Sequence, residues 1–270
     1  MLSMDGMTLW QKMKSRLPYE YQEVEWIQGT GTQYIDTGMY APLNTDIEVK
    51  FQLNSETNGA IFGGRTAQTA QTCTLFYLAT AKPPYFRFDR TSQKTVADSN
   101  QISIDTESVY EFSYKDNVAT ITNLTTEESN SVYIGTPSSF TGNPIHLFAV
   151  TGGTLFDGKI FGWKYWENGE LIQHFIPCYR KSDGEVGMYD LVSEMFFANR
   201  GTGEFYCEKP KYKAELEYIE STGTQWIDTG MTIDTASDTV ELMFQNTGDT
   251  VYKWFFGEHD NNARLGLGTP

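Results

Sequence analysis

The sequence has few cysteines and few basic residues, and each shortage excludes a class of protein. Its three cysteines, Cys73, Cys178 and Cys207, are too few to staple a chain of 270 residues, and none lies in a CxxC pair. Its 20 basic residues stand against 35 acidic ones, which gives a formal net charge of −15. Because binding to nucleic acid or to an anionic membrane surface needs a basic patch, we expect neither partner.

Long apolar runs are missing as well. The N-terminus has no apolar core of the kind that a secretory signal carries. No stretch approaches the roughly 18 apolar residues that a transmembrane helix needs. The longest apolar segments, such as IHLFAV at 145–150, have the length of a strand. We therefore expect no signal peptide and no membrane span.

Motifs that carry catalysis do not occur. The sequence contains no GxSxG elbow, no P-loop, no HExxH and no dinucleotide-binding fingerprint. A glycosidase needs two carboxylates about 5–9 Å apart, and the nearest approaches are Asp46 with Glu48 and Asp105 with Glu107. The first pair lies on the polar face of an ordinary amphipathic strand. We expect a protein that is not an enzyme, with no catalytic residues.

A metal site is not indicated either. Calcium sites gather several carboxylate and carbonyl oxygens on one loop. Asp157, Asp183 and Asp190 are acids near predicted loops, but the sequence has no D-x-D-x-D-G loop. Calcium thus has no support beyond three acids in an acidic protein, and we expect no metal and no cofactor.

What the sequence does contain is a series of short β-strands. In DIEVKFQL at 46–53, apolar residues alternate with polar ones, which is typical of a strand with one buried face. The segments 159–167 and 170–177 flank Asn168-Gly169, the dipeptide that favours a type I′ hairpin turn. Roughly a dozen such segments predict an all-β fold, an antiparallel sandwich or barrel.

The first 20 residues differ from the rest. The stretch TLWQKMKSRL predicts a short helix over residues 6–17 that Thr8 caps and Pro18 ends. Its apolar face carries Leu9, Trp10, Met13 and Leu17. A helix this short is not stable alone, so this face should anchor the segment. The surface that it contacts is either the β domain of the same chain or a partner protein.

An internal repeat organises the remainder. The segment VEWIQGTGTQYIDTGM at 24–39 returns as LEYIESTGTQWIDTGM at 216–231, with eleven of sixteen positions identical. We therefore predict an N-terminal arm at 1–20, one complete unit at 21–211 and the opening strands of a second unit at 212–270. We expect the natural chain to continue past Pro270 into a full second unit. Strand exchange between subunits is the alternative.

Three segments together resemble a known family. They are the opener at 21–38, the central IFGGR at 61–65 and the closer from GELIQHFIPCYR through RGTGEF at 169–205. The chain resembles the LamG-like, concanavalin A-like jelly-roll module of bacteriophage and prophage structural proteins, over 21–208 and again over 214–270. The resemblance implies a β-sandwich of two antiparallel sheets on a virion-surface or tail protein that is assembled in the host cytoplasm.

Three functions remain open at this point. The first is a non-enzymatic, lectin-like virion protein that adheres to host-surface glycan or protein. The second is an architectural capsid decoration or fibre protein that its N-terminal segment anchors. The third is a bacterial surface adhesin, which the missing signal disfavours. In the first two, residues 1–20 contact other virion proteins, and the chain is a homo-oligomer or a component of an assembly.

A candidate ligand-binding group lies in the stretch PPYFRFDR. Sugar binding combines aromatic side chains, which stack on the apolar faces of the sugar, with polar hydrogen-bonding groups. Tyr85, Arg87, Asp89 and Arg90 supply both in six residues, and Arg65, which follows the IFGG segment, could converge on them.

Two acidic turns have a structural explanation instead. Asp36-Thr37-Gly38 predicts a turn in which the carboxylate caps backbone N–H groups, and it recurs at 228–230. In the same way, we expect Asp190 to fix a loop rather than to take part in chemistry.

Overall fold

The computed structural model describes residues 16–67, 71–90, 92–137, 143–151 and 153–209, and then 220, 224, 226–229, 242, 254–259 and 264–268. The greater part of the predicted helix, with Leu9, Trp10 and Met13, lies outside the described residues. The chain divides into two compact units, Met1–Lys211 and Tyr212–Pro270.

The described residues form an all-β structure, with no helix among them. No helix that could cross a bilayer is therefore found in this part of the chain. The strands are β1 (Tyr21–Glu23), β2 (Ile27–Thr30), β3 (Ile35–Asp36), β4 (Thr45–Leu53), β5 (Gly59–Ala67), β6 (Gln71–Leu78), β7 (Tyr85–Asp89), β8 (Gln93–Asp98), β9 (Val109–Lys115), β10 (Val118–Asn123), β11 (Ser129–Tyr133), β12 (His146–Leu147), β13 (Asp157–Glu167), β14 (Glu170–Arg180), β15 (Val186–Asp190), β16 (Met195–Ala198), β17 (Trp254–His259) and β18 (Arg264–Gly268).

Two antiparallel sheets of the first unit form a sandwich. The larger sheet has ten strands in the order β11-β10-β9-β4-β13-β14-β15-β16, with β1 paired to β14 and β2 paired to β13. The smaller sheet has six strands in the order β3-β12-β5-β6-β7-β8. The all-β, two-sheet prediction is confirmed.

The strongest strand predictions are also confirmed. In β4, Ile47, Val49 and Phe51 are at most 1% exposed, because alternate residues of a strand point to one face. The predicted hairpin joins β13 to β14 through Asn168 and Gly169, whose φ angles of 52° and 80° are both positive. A type I′ turn requires positive φ at both central positions.

Aromatic rings fill the space between the two sheets. Phe62 of the smaller sheet lies 5.1 Å from Trp163 and 5.6 Å from Phe112 of the larger sheet, centroid to centroid. Phe88 lies 5.0 Å from Phe112. Rings at these distances in tilted arrangements add to the stability that burial supplies. The core therefore fixes β5 and β7 in the smaller sheet, with β6 between them.

The acidic turns have the structural roles that the sequence predicts. The Asp36 carboxylate accepts a hydrogen bond of 2.9 Å from the backbone N–H of Gly38, whose φ is 71°. The Asp190 carboxylate accepts backbone N–H groups from His174 and Val192. Both acids are occupied in holding backbone.

Leu17 is the member of the predicted anchoring face that the structure describes. It is 6% exposed and packs with Ile176, Cys178 and Tyr189 on the side of β14 and β15 that faces away from the core. The described end of the arm thus packs on the chain's own larger sheet.

In the second unit, β17 and β18 pair as an antiparallel hairpin. The strand WFFGEH of β17 echoes AIFGGR of β5 in sequence. Burial differs between the repeated openers, however. Ile35 is fully buried in the first unit, whereas Ile227, its counterpart in the repeat, is 70% exposed.

Candidate functional site

The predicted ligand group lies on the outer face of the smaller sheet. Along β7, Phe86 and Phe88 are fully buried in the core, so Tyr85, Arg87 and Asp89 point the other way. The neighbouring strand β6 places Leu78, Phe76 and Thr74 opposite these three residues. The outer face thus combines apolar and charged side chains in adjacent rows.

A cavity of about 310 Å³ opens on this face. Its size is at the lower end of the range for small-molecule sites. It spans β5 to β8, which is three interstrand spacings or about 14 Å. Its lining comprises Asn58, Gly59, Arg65, Phe76, Leu78, Arg87, Gln93 and Thr154. Tyr85 stands opposite Leu78 at the margin of this lining.

Arg87 and Asp89 form a two-point ion pair beside the cavity. Arg87 Nη2 donates a 2.9 Å hydrogen bond to Asp89 Oδ2, and Arg87 Nε lies 2.9 Å from Asp89 Oδ1 in a contact not aligned as a hydrogen bond. The guanidinium also lies over Phe76, 4.9 Å from the ring centroid. Ion pairing and stacking together fix its plane.

Asp89 is only 3% exposed, and this burial raises the pKa of its carboxyl group. The guanidinium groups of Arg87 and Arg65 act in the opposite direction but do not cancel the effect of burial. Both arginines therefore act on the same carboxylate.

Two glycines shape the surroundings of Arg65. A Cβ on Gly63 would lie 2.5 Å from Thr74 Oγ1, so only glycine lets Thr74 cover this part of β5. A Cβ on Gly153 would lie 2.8 Å from Arg65 Nη2, so the guanidinium lies against the turn at 150–154. Within the described residues, Arg65 takes part in no ion pair.

Arg90 does not join this group. It follows Asp89 directly, so its side chain points to the opposite side of the sheet, and it is 2% exposed. Its Nη2 donates to the carbonyl of Pro42, and its charge acts on Cys73 and Tyr114 in the interior. Burial nevertheless raises the pKa of Cys73 to about 11. Arg90 is therefore not accessible from the cavity and is not part of the candidate site.

A second polar cluster lies on the same face, across β5. His146 of β12 stands opposite Gly63, and its ring stacks on Tyr34 with centroids 4.7 Å apart. Its Nε2 lies 4.0 Å from Asp36 Oδ1. Burial lowers the pKa of His146, and Asp36 partly offsets this effect.

The acids considered for catalysis are held elsewhere. Glu48 pairs with Lys164 on the larger sheet, and Asp105 accepts the backbone N–H groups of Glu107 and Ser108.

The three loop acids considered for calcium also have other roles. Asp157 accepts a hydrogen bond from Asn54, Asp183 pairs with Arg180, and Asp190 fixes the turn described above. No group of three metal-binding side chains occurs among the residues that the structure describes.

Part of the cavity lining was missed by the sequence reasoning. Phe76 and Leu78 carry a usable signal, because residues 75–78 are apolar at every position and such a strand needs cover on both faces. The sequence gives no comparable signal for Asn58, Gln93 and Thr154, because polar residues are common at strand ends and in turns.

No protein-family model matches the sequence, and the comparison with curated proteins gives no match. Solved structures that are similar to the chain include the following three. A candidate carbohydrate-binding protein from Bacteroides ovatus has 13% identity and a TM-score of 0.46, over 71% of this chain and 61% of that one. A heptameric SAP-like pentraxin from Limulus polyphemus has 12% identity and a TM-score of 0.37, over 56% of this chain and 77% of that one.

Domains LG4-5 of the mouse laminin α1 chain have 15% identity and a TM-score of 0.42, over 70% of this chain and 48% of that one. The chain thus spans about three fifths of the Bacteroides protein and half of the laminin fragment.

Proposed function

We propose that residues 21–211 form a non-enzymatic, lectin-like module that binds glycan in the cavity on the outer face of the smaller sheet. The observation that carries this proposal is the composition of the cavity. Leu78 and the small exposed part of Phe76 supply apolar surface, while Arg87 and Gln93 supply planar hydrogen-bonding groups around it.

This combination suits a sugar ring physically. A pyranose has C–H-rich faces that gain free energy against apolar side chains, and hydroxyl groups around its edge that need hydrogen-bond partners. Guanidinium and amide groups can bond two neighbouring hydroxyls at once because their donors and acceptors lie in one plane. The ion pair with Asp89 and the ring of Phe76 hold Arg87 in position before a ligand arrives, which lowers the entropy cost of binding.

We propose the surface of a bacteriophage particle as the setting. The resemblance of the segments at 21–38 and 169–205 to modules of phage structural proteins supports this setting. The architectural alternative, a capsid decoration or fibre protein, rests on the same resemblance and predicts a protein with no glycan ligand. Binding data on the isolated chain therefore separate the two.

The test is a glycan array probed with the full chain and two glutamine variants. Gln93→Ala removes a cavity amide on edge strand β8, and Gln28→Ala removes the same group from β2 of the larger sheet. We expect a defined set of glycans to bind, with affinity reduced about 2- to 10-fold by Gln93→Ala and unchanged by Gln28→Ala. An array without binders, or equal loss in both variants, would contradict the proposal.

A further inference from the structure

The cavity has more positively charged than negatively charged side chains around it. Two guanidinium groups, those of Arg65 and Arg87, line it. The carboxylate beside them is that of Asp89, which Arg87 already engages at two points. Arg65 reaches this carboxylate only through space and forms no ion pair within the described residues. The cavity therefore holds one positive charge in excess.

The backbone of Arg65 is held in place. It is part of β5, and its carbonyl accepts a 2.6 Å hydrogen bond from Asn143. Its guanidinium lies close to Gly153, where an added Cβ would come within 2.8 Å of Nη2. The guanidinium carries a positive charge and presents its donors in one plane.

The net charge of the protein repels anions. A net charge of −15 produces a surrounding potential that repels negatively charged molecules. An unpaired cation in such a protein does not gather anions from a distance. It is useful only to an anionic group that is part of a ligand held by other contacts in the same cavity.

We propose that the cavity takes an acidic saccharide, whose carboxylate or sulfate group binds Arg65 while its ring lies against Leu78, beside the largely buried Phe76. This inference rests on the proposed function and names the ligand class. Arg65 then determines specificity, because a neutral sugar leaves its charge without a partner in a partly desolvated place. The planar fork of the guanidinium matches the oxygen spacing of either anion.

The test uses oligosaccharides in matched pairs. Uronic-acid oligosaccharides are compared with their methyl esters, and sulfated oligosaccharides with their desulfated forms. These changes remove the charge and keep the sugar rings. We expect the full chain to lose about 10-fold or more in affinity for the neutral member, the usual range for a charge-assisted hydrogen bond. The type of pair that shows this loss identifies the anion as carboxylate or sulfate.

Variants assign the effect to Arg65. Arg65→Gln should abolish the difference between the two members of a pair, and Arg65→Lys should retain part of it. Lys50→Gln, on β4 of the larger sheet, serves as control and should leave the difference intact. Thermal melting of each variant establishes that it is folded.

The outcomes separate the two proposals. Neutral and acidic members that bind equally well would overturn the inference and leave the glycan-binding function standing. An acidic preference that survives in Arg65→Gln would overturn the role of Arg65. Absence of binding to every oligosaccharide would overturn the proposed function and the inference together.

Discussion

Each outer face of the sandwich carries an ion pair, and the two pairs differ in their exposure to solvent. On the larger sheet, Lys164 pairs with Glu48 at side-chain exposures of 36% and 34%. On the smaller sheet, Arg87 pairs with Asp89 at 21% and 5%. The first is a solvated surface pair, while the second is largely removed from water beside a cavity.

This difference indicates that the smaller sheet tolerates the free-energy cost of a desolvated ion pair. A solvated pair contributes little to folding and costs little to form. A desolvated carboxylate costs free energy unless its partners stay in place, as the raised pKa of Asp89 shows. Both sheets also carry hydroxyl pairs that satisfy each other, Thr120 with Ser131 on the larger sheet and Thr72 with Thr74 on the smaller one. Burial also raises the pKa of Glu111 on the larger sheet, so the difference between the faces rests on the near-complete burial of the Asp89 ion pair beside a cavity.

The largest expected effect comes from breaking the two ion pairs. Arg87→Ala leaves the buried Asp89 carboxylate without its main partner and should destabilise the fold by about 2–4 kcal/mol, reduced somewhat by the remaining Arg65. Lys164→Ala should cost less than about 1 kcal/mol. Urea unfolding of both variants measures the difference. Equal costs would show that the two faces do not differ in this respect, and Arg87→Ala/Asp89→Asn should recover part of the loss.

Two glycines give the next effect, again one from each sheet. Gly63→Ala on β5 places a methyl group against Thr74 and should cost about 1–3 kcal/mol. For Gly162 on β13, the nearest atom to an added Cβ is the carbonyl oxygen of Phe175 at 3.5 Å, an ordinary contact. Gly162→Ala should therefore change stability by no more than about 0.5 kcal/mol. Denaturant midpoints that rank the variants in reverse would contradict the packing described for the outer face.

The pH dependence of stability should have opposite signs at two carboxyl groups. Burial raises the pKa of Asp89 above its ordinary value of 3.8, so the folded state binds this proton more tightly than the unfolded state. Stability relative to Asp89→Asn should fall as pH rises from 3.8 through the raised pKa.

Glu128, before β11 of the larger sheet, provides the contrast. Hydrogen bonds from Ser103 and Thr126 lower its pKa below 4.5. The wild type should therefore be more stable than Glu128→Gln above pH 4.5, and this advantage should be lost as pH falls through the lowered pKa. Unfolding free energies of the wild type and both variants, measured across this pH range, show whether each carboxyl group stabilises the fold more at low or at high pH. A difference between wild type and Asp89→Asn that does not change with pH would argue against the desolvation of Asp89.

The smallest expected effect concerns one histidine on each face. Burial lowers the pKa of both His146 and His174. Asp36 opposes this effect at His146, whereas Lys164 adds to it at His174. Asp36→Asn should lower the pKa of His146 further, and Lys164→Gln should raise that of His174. NMR titration of the imidazole protons measures both, and shifts of the opposite sign would refute the contacts assigned to these rings.

The fold could be predicted from the sequence because its signals are local. Alternation in β4 and the Asn168-Gly169 turn specify a strand and a hairpin within a few residues. The same alternation, applied to YFRFDR, separates Arg90 from Arg87 and Asp89. Residue type alone groups all three, whereas the period of the strand places Arg90 on the other side.

The cavity itself could not be predicted, because its parts come from distant segments. Asn58, Gln93 and Thr154 meet only through sheet order and through the turn that follows β12. The convergence of Arg65 on Asp89 depends on β6 lying between β5 and β7, which the sequence does not encode locally. The burial that raises the pKa of Asp89 arises from the same tertiary arrangement.

The central claim is that the outer face of the smaller sheet, and not that of the larger sheet, binds glycan. Two-dimensional ¹H–¹⁵N NMR of the full chain, titrated with the tightest-binding oligosaccharide from the array, tests it residue by residue. The account predicts saturable amide shifts in β5 to β8 and in the turn at 150–154, with β4, β9 and β13 unchanged. Shifts centred on β4, β9 and β13 would contradict it.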